Sequence, residues 1–378
     1  MLNNIFKEQA LNPFPFYRQM RQSQPVLYVL QQDSWMVFRY ADVEQVLTDY
    51  KLFSSVRNPE VTQARPNILN MDPPRHRQLR NLVTQAFTPR SVAQLTERIT
   101  AIVTQLLDEA ASNGHMDIID DLAYPLPVIV IAELLGIPPE DRARFKLWSD
   151  AAVGSLSTDN IDPRPEMGEY FLQIFAQRRE HPQNDLVSAL LNAQVDGEHL
   201  TQAEMLSFCI LLLVAGNETT TNLIGNALLC LDDFPDAMEA LRAEPNLIPS
   251  AIEEVLRYRS PVQFTGRIAT SDTIVGGQAI KAGQGIRLLL GSANRDEAQF
   301  PNADSFDIRR MPNRHLAFGH GIHFCLGAPL ARLEAKIALT LLLERFSTIQ
   351  RMRDVPLEHV GSFLMYGVKH LPVTLQKS

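Results

Sequence analysis

The chain has little cysteine: Cys209, Cys230 and Cys325 are the whole complement among 378 residues. They are far apart and odd in number, which argues against a secreted disulfide framework and for a reducing compartment. Cys209 and Cys230 sit in apolar helical sequence and read as plain core residues. An excess of basic charge is also missing. With 35 Lys and Arg against 43 Asp and Glu the formal net charge is -8, which argues against a general nucleic-acid binder. Long apolar runs are absent. The most hydrophobic stretch, residues 208–215, is far short of the ~20 residues a membrane span needs and runs into Asn217 and Glu218. Residues 1–8 carry no apolar signal core and no basic lead, and no internal repeat or low-complexity linker divides the chain. The expectation is a cytoplasmic protein with no membrane segment and a single domain over residues 1–378.

What is present suits a sealed core: 45% hydrophobic and 21% charged residues mark an ordinary globular protein. β-prone runs at 26–30 and 35–39 predict a hairpin, and residues 41–47 a short helix. Residues 54–70 lack periodicity and contain Pro59 and Pro66, which predicts a loop beside a pocket. Residues 72–80 open a helix, with Asp72 as its cap. Helical patterning continues at 91–111, 122–135, 140–152 and 163–179. Thr201 and Glu204 form a capping box, and the segment after it is helical to about Leu231 and apolar on nearly every side from Leu206 to Val214, so it should cross the core. After a helix at 251–258 the pattern turns to strands from Val262 through Gly291, with a last strand at 371–375. The fold class expected is mainly α with small β-sheets and a long central helix.

Phe318-Gly319-His320-Gly321-Ile322-His323-Phe324-Cys325-Leu326-Gly327 places one cysteine at the mouth of a helix running to about Phe346. A cysteine taken alone is most often an inert buried thiol. Here the unpaired N–H groups of a helix start supply the positive potential that a metal-ligating thiolate needs. Gly321 and Gly327 remove side chains where a flat macrocycle would lie against backbone, and Gly321 can take φ > 0.

Within the central helix, Ala215-Gly216-Asn217-Glu218-Thr219 brings polar groups into apolar surroundings, where they cost several kcal/mol each unless bonded or used. Ala215 and Gly216 remove bulk and make room for a small ligand. Thr219 lies four residues after Ala215, so its hydroxyl can donate to that carbonyl and widen the turn, and Glu218 can relay a proton through water. A polar patch that merely kinks the helix is the alternative. His76 and Arg80 share a helix face and can hold an anion, although their spacing alone more often means a solvated basic face. Thr265 and Arg267 share one face of an extended segment.

The Phe-x-x-Gly-x-x-x-Cys-x-Gly frame resembles the heme-binding loop of the cytochrome P450 superfamily, and the other motifs come in that family's order. The resemblance covers nearly the whole chain and is greatest to the short soluble prokaryotic members. It implies heme b (iron protoporphyrin IX) as cofactor, with Cys325 as the axial iron ligand in a loop opened by Phe318 and closed by Gly327. It implies that His76, Arg80, Arg267, His323 and, more weakly, Thr265 reach the heme propionates, and that Ala215 and Gly216 lie over the ring. Thr219 would steady bound oxygen and Glu218 feed it protons, with aspartate the commoner acid at that position. A buried Glu254–Arg257 pair, completed by Arg310 rather than Arg309, would be structural. Ile68, Leu69, Val214, Val262, Phe264 and Phe363 would line an apolar pocket. Tyr366 departs from the arginine frequent at its position.

The implied activity is a monooxygenase that uses dioxygen on a hydrophobic organic substrate. No flavin or iron–sulfur sequence is fused to the chain, so a separate ferredoxin or flavodoxin-type electron donor with its reductase is implied. Arg75, Arg77, Arg332 and Lys336 would face an acidic ferredoxin. A peroxygenase driven by hydrogen peroxide and a non-enzymatic heme-thiolate sensor are the rival readings.

Overall fold

The structure, a computed structural model, describes residues 10–57, 60, 67–84, 87–110, 114–142, 144–145, 147–148, 164–195 and 197–377. Residues 1–8, the middle of the 54–70 loop and the end of the 140–152 helix, for which the sequence gives expectations, lie outside the described residues. The helices that build the core are α1 (Phe14–Ser23), α2 (Tyr40–Thr48), α3 (Arg75–Thr84), α4 (Thr96–Ala110), α5 (Pro125–Leu134), α6 (Arg164–Glu180), α7 (Gln202–Asp233), α8 (Ile248–Tyr258) and α9 (Ala328–Arg345). The strands are β1 (Val26–Val29), β2 (Ser34–Val37), β3 (Phe53–Ser54), β4 (His115–Asp117), β5 (Gln194–Val195), β6 (Glu198–His199), β7 (Thr265–Ala269), β8 (Thr273–Val275), β9 (Gln278–Ile280), β10 (Gly285–Leu288), β11 (Phe346–Arg351) and β12 (Pro372–Lys377).

The expected hairpin forms as β1 and β2 and becomes the edge of a five-stranded sheet in the order β1-β2-β10-β7-β3. Alternation along its strands sorts side chains to two faces. Trp35, Ile286 and Arg267 stand on one face, and Met36, Arg287 and Gly266 on the other. An apolar cluster with Val43, Val46 and Phe53 packs the first face, and Tyr17 and Met20 of α1 cover the second. β11, β12 and β4 form a separate three-stranded sheet.

Helix α7 is the axis of the largest core cluster and packs against α5, α6, α8 and α9. Its capping box is formed: the Thr201 hydroxyl accepts from Glu204 N at 3.2 Å, and Glu204 Oε2 accepts from Thr201 N at 2.9 Å. The same carboxylate takes two bonds from Arg75 at 2.6 and 2.7 Å, which fastens α3 to the start of α7. By length and composition α7 could cross a membrane; here it is the buried centre of the helical layer.

Three local expectations are corrected. The 91–111 segment is two helices, Pro89–Ala93 and α4, because the Thr96 hydroxyl donates to the Ala93 carbonyl at 2.7 Å and ends the first one. The 122–135 segment begins as a wider π turn, Ile118–Ala123, whose N–H groups at Ile119 and Asp120 donate to the Asp117 side chain at 2.8 and 3.3 Å. Asp72 does not cap α3 with its side chain. Its carbonyl accepts from His76 N at 3.1 Å, while its carboxylate is taken by the Ser54 hydroxyl at 2.5 Å and Ser55 N at 3.1 Å.

The buried ion pair expected at α8 is present. Arg257 donates to both Glu254 oxygens at 2.7 and 2.8 Å, with both side chains 0% exposed. Arg310 adds 3.2 Å contacts to the same carboxylate, whereas Arg309 turns away to Glu244. The remaining Arg257 donors go to the carbonyls of Asn294, Ala303 and Ser305, so this charge cluster ties α8 to the loops that precede the cysteine segment.

Candidate active site

The cysteine loop is shaped by backbone conformations that glycine adopts freely. Gly321 has φ +68, and a Cβ there would stand 2.9 Å from the Leu47 carbonyl oxygen of α2, so only glycine lets the loop lie on that helix. Cys325 N donates to the Phe318 carbonyl at 2.8 Å and closes the loop. The sulfur accepts from the backbone N–H groups of Gly327 and Ala328, at the start of α9, and the Arg80 and Arg332 charges lie near it. Burial pushes the thiol up, and those four groups oppose the shift by favouring thiolate. Phe318 shields the loop under the Arg332 guanidinium, 4.6 Å from the ring centroid.

Around the loop gathers a group of cations and imidazoles. Arg80 donates to the Phe324 carbonyl at 2.5 Å. Arg267 is only 6% exposed and donates to the Gly266 carbonyl at 2.8 Å; burial lowers it to about 10. The rings of His76 and His323 are 4.2 Å apart. Burial, followed by the Arg80 charge, holds His76 at about 4, and burial with the neighbouring His76 holds His323 at about 3, so both are neutral at pH 7. His323 Nε2 lies 2.9 Å from the Ser55 hydroxyl, and the Met71 backbone also bonds the ring. His76 Nε2, by contrast, is buried without a partner among the described residues. Thr265 shares the Arg267 face of β7 and is partly buried.

On α7, Thr219 forms the bond its spacing predicts, donating to the Ala215 carbonyl at 2.9 Å. The helix runs without interruption from Gln202 to Asp233. Ala215 is exposed, and Glu218 and Thr219 are partly so, in a helix whose other faces at Leu213, Asn217 and Thr220 are buried. Burial raises the Glu218 carboxyl above its usual value. Gly216 faces Ile131 of α5, where a Cβ would stand at an ordinary contact distance of 3.4 Å.

These residues fit a large planar cofactor that carries anions. Cys325 is enclosed by protein yet keeps accessible surface, as a residue facing an interior space does, and a Cβ on Gly327 would meet nothing within 4 Å. Arg80 and Arg267 have no ion-pair partner among the described residues, and His76 presents an unused polar atom. A sulfur donor for iron and three donors for carboxylates are what heme requires.

Ser55 is a supporting residue that spacing could not reveal, since it lies 268 positions from His323. Tyr366 is buried with its hydroxyl on the Leu11 carbonyl at 2.8 Å and the Arg259 guanidinium at 3.2 Å. Phe264 packs on the α1 side of the sheet, against the cluster that holds Tyr17 and Phe38. Arg75 and Arg332 are engaged by Glu204 and Glu253, while Arg77 and Lys336 are exposed and make no ion pair among the described residues.

Comparison with known proteins agrees with this geometry. The family model described as "Cytochrome P450" matches residues 1–174 and 159–370. The chain is 46% identical over 381 residues to Cytochrome P450 109 of Bacillus spizizenii, covering 98% of this chain and 93% of that protein. It is 41% identical over 376 residues to the cyclomarin C epoxidase CymV of Salinispora arenicola, covering 95% of each. Substrate-free CYP109E1 of Bacillus megaterium superposes with a TM-score of 0.93 at 41% identity, covering 98% of this chain and 100% of that one. The same enzyme in complex with testosterone gives 0.90 at 43% identity, covering 96% and 99%. The chain therefore belongs to the cytochrome P450 family, whose members are monooxygenases that use heme b.

Proposed function

We propose that this chain inserts one atom of dioxygen into a C–H bond or alkene of a hydrophobic organic molecule, working in the cytoplasm as one domain with a separate ferredoxin or flavodoxin-type donor and its reductase. The observation that carries the reading is the Cys325 sulfur under the Gly327 and Ala328 N–H groups, with Thr219 and Glu218 on the central helix. Bound there, heme supplies the redox chemistry that activates dioxygen.

The protein's own groups hold, orient and protonate. Cys325 is the iron ligand, and the two N–H groups at the start of α9 stabilise its negative charge. His76, Arg80 and Arg267 bind the propionates, with His323 set by Ser55 beside them and Thr265 on the same face. Because the Thr219 proton is committed to the Ala215 carbonyl, its oxygen faces the interior as an acceptor and orders whatever donates to it. Glu218, raised by burial, holds a proton closer to neutral pH than an exposed carboxyl does and passes it inward through water.

Exposed Leu69 and Phe363, at 52% and 44%, support an apolar organic substrate, as do the steroid bound to CYP109E1 and the epoxidase activity named for CymV. An acidic donor protein fits the face where Lys336 and Arg332 border an apolar groove with Ile252 and Leu333. The test is turnover of a library of apolar compounds under labelled dioxygen with ferredoxin, reductase and reductant. One labelled oxygen in the product is expected. Product formed only with hydrogen peroxide would replace the reading by the peroxygenase, and reductant use with no product from any compound would favour the sensor.

A further inference from the structure

Helix α8 carries a second carboxylate beside the one in its buried ion pair. Glu253 turns to α9, where both its oxygens accept from Arg332 at 2.7 Å. Its Oε2 also lies 3.0 Å from His315 Nε2. The Ala317 N–H donates to His315 Nδ1 at 3.2 Å, so the ring keeps its proton on Nε2 and gives that hydrogen bond to the carboxylate. His315 is thus a neutral donor with a nearly enclosed side chain, and the charges that matter are the Arg332 cation and the Glu253 anion. Burial would raise the Glu253 carboxyl, but the bonds from Arg332 and His315 outweigh it and hold the group at about 2, so it is ionised at neutral pH.

This pair stands beside the sulfur. Arg332 lies early in α9 with its guanidinium 4.6 Å from the Phe318 ring centroid, and its charge reaches Cys325. Arg80 is the other cation near the sulfur, and among the described residues only Arg332 of the two is offset by a carboxylate. The bidentate grip fixes where the guanidinium sits. Glu253 and Arg332 form the polar wall of a groove of about 280 Å3 whose other lining includes Val92, Ile252, Pro329 and Leu333, so less water screens the two charges than on an open face. A cation there favours added negative charge at the sulfur and the iron it binds, and the carboxylate bonded to that cation opposes it. We infer that Glu253 is a positioning residue that lowers the reduction potential of the bound heme, by holding Arg332 over Phe318 and offsetting its charge at Cys325, an inference that rests on Cys325 as the iron ligand.

The test is the ferric–ferrous equilibrium of the heme-loaded, substrate-free protein against a dye of known potential, for the parent, Glu253→Gln, Arg332→Gln and the double variant. The reduced carbon monoxide spectrum of each certifies sulfur ligation. Glu253→Gln should move the equilibrium toward ferrous by roughly fivefold and Arg332→Gln toward ferric by a similar factor, as one partly screened charge does. Because the two charges oppose each other, the double variant should return to within about twofold of the parent, a cancellation that loss of packing alone would not give. Should Glu253→Gln fail to fold, the double variant against Arg332→Gln isolates the same carboxylate and should show the same move toward ferrous. An unmoved equilibrium on removing Glu253, or shifts of one sign in both single variants, would overturn the inference. Absence of the sulfur-ligated spectrum in the parent would instead count against the Cys325 assignment.

Discussion

Thr219 Oγ1 donates to the Ala215 carbonyl at 2.9 Å, which leaves its lone pairs rather than its proton to the interior side of the helix. A hydroxyl in that state orders an incoming donor and cannot itself be the first proton source. In the proposed mechanism Glu218, one residue earlier and raised by burial, takes that part.

Thr219→Ala should therefore keep reductant consumption and lose product, with hydrogen peroxide released instead, and the product-to-reductant ratio should fall by roughly tenfold to a hundredfold. Thr219→Ser retains the hydroxyl and should stay within a few-fold of the parent. Product yield against reductant oxidised is the measurement, and an unimpaired alanine variant would remove the residue from the mechanism.

Cys325→Ser keeps the loop's backbone bonds but withdraws the thiolate. The reduced protein under carbon monoxide should lose the red-shifted absorption of sulfur-ligated heme, and oxygenation should vanish. Survival of both would dismiss the ligand assignment.

Glu254→Gln leaves Arg257 buried beside a neutral partner. Breaking a buried, bonded pair costs about 3–5 kcal/mol, and urea unfolding should show that loss. Arg310→Ala should cost less, because that guanidinium sits at the edge of the cluster at 3.2 Å and retains solvent contact.

Glu334 of α9 is 1% exposed, its Oε1 has no partner among the described residues, Thr220 hydrogen-bonds its carboxyl, and burial pushes it up to about 8. The folded state thus binds this proton more tightly than the unfolded chain, whose carboxyl titrates near 4.5. The contribution is fully present below pH 4.5 and is lost as pH rises toward about 8. Glu334→Gln should flatten that loss, so its stability relative to the parent should rise between pH 5 and pH 8 by a few kcal/mol, on the order of the shift's free-energy equivalent. Thermal or urea unfolding across that range checks it; parallel curves would contradict the buried neutral acid.

Lys336→Glu should raise the KM for an acidic ferredoxin, with the effect shrinking at high salt. Arg332→Glu meets Glu253 as well as the donor, so its loss of turnover should come with reduced stability. A KM unmoved by Lys336→Glu would take the docking face elsewhere.

Much of the site was legible in one dimension because its key contacts are local. The capping box at Thr201, the Thr219 to Ala215 bond, the Glu254–Arg257 pair and the cysteine under its own helix start all join residues a few positions apart, where helix geometry alone sets who meets whom. The long central helix was equally plain from the capping box at its start and the apolar residues that follow it.

Contacts that depend on which faces meet were not legible. Only the packed chain brings Ser55 to His323, gives Glu204 to Arg75, turns Gly216 toward Ile131, sends Phe264 to the α1 side of the sheet and leaves Glu334 buried with no cation beside it among the described residues. Residue type and spacing determined which groups could serve a thiolate-bound heme. Tertiary structure decided which of them are neutralised, buried or left open, because desolvation and long-range pairing depend on neighbours that sequence order does not name.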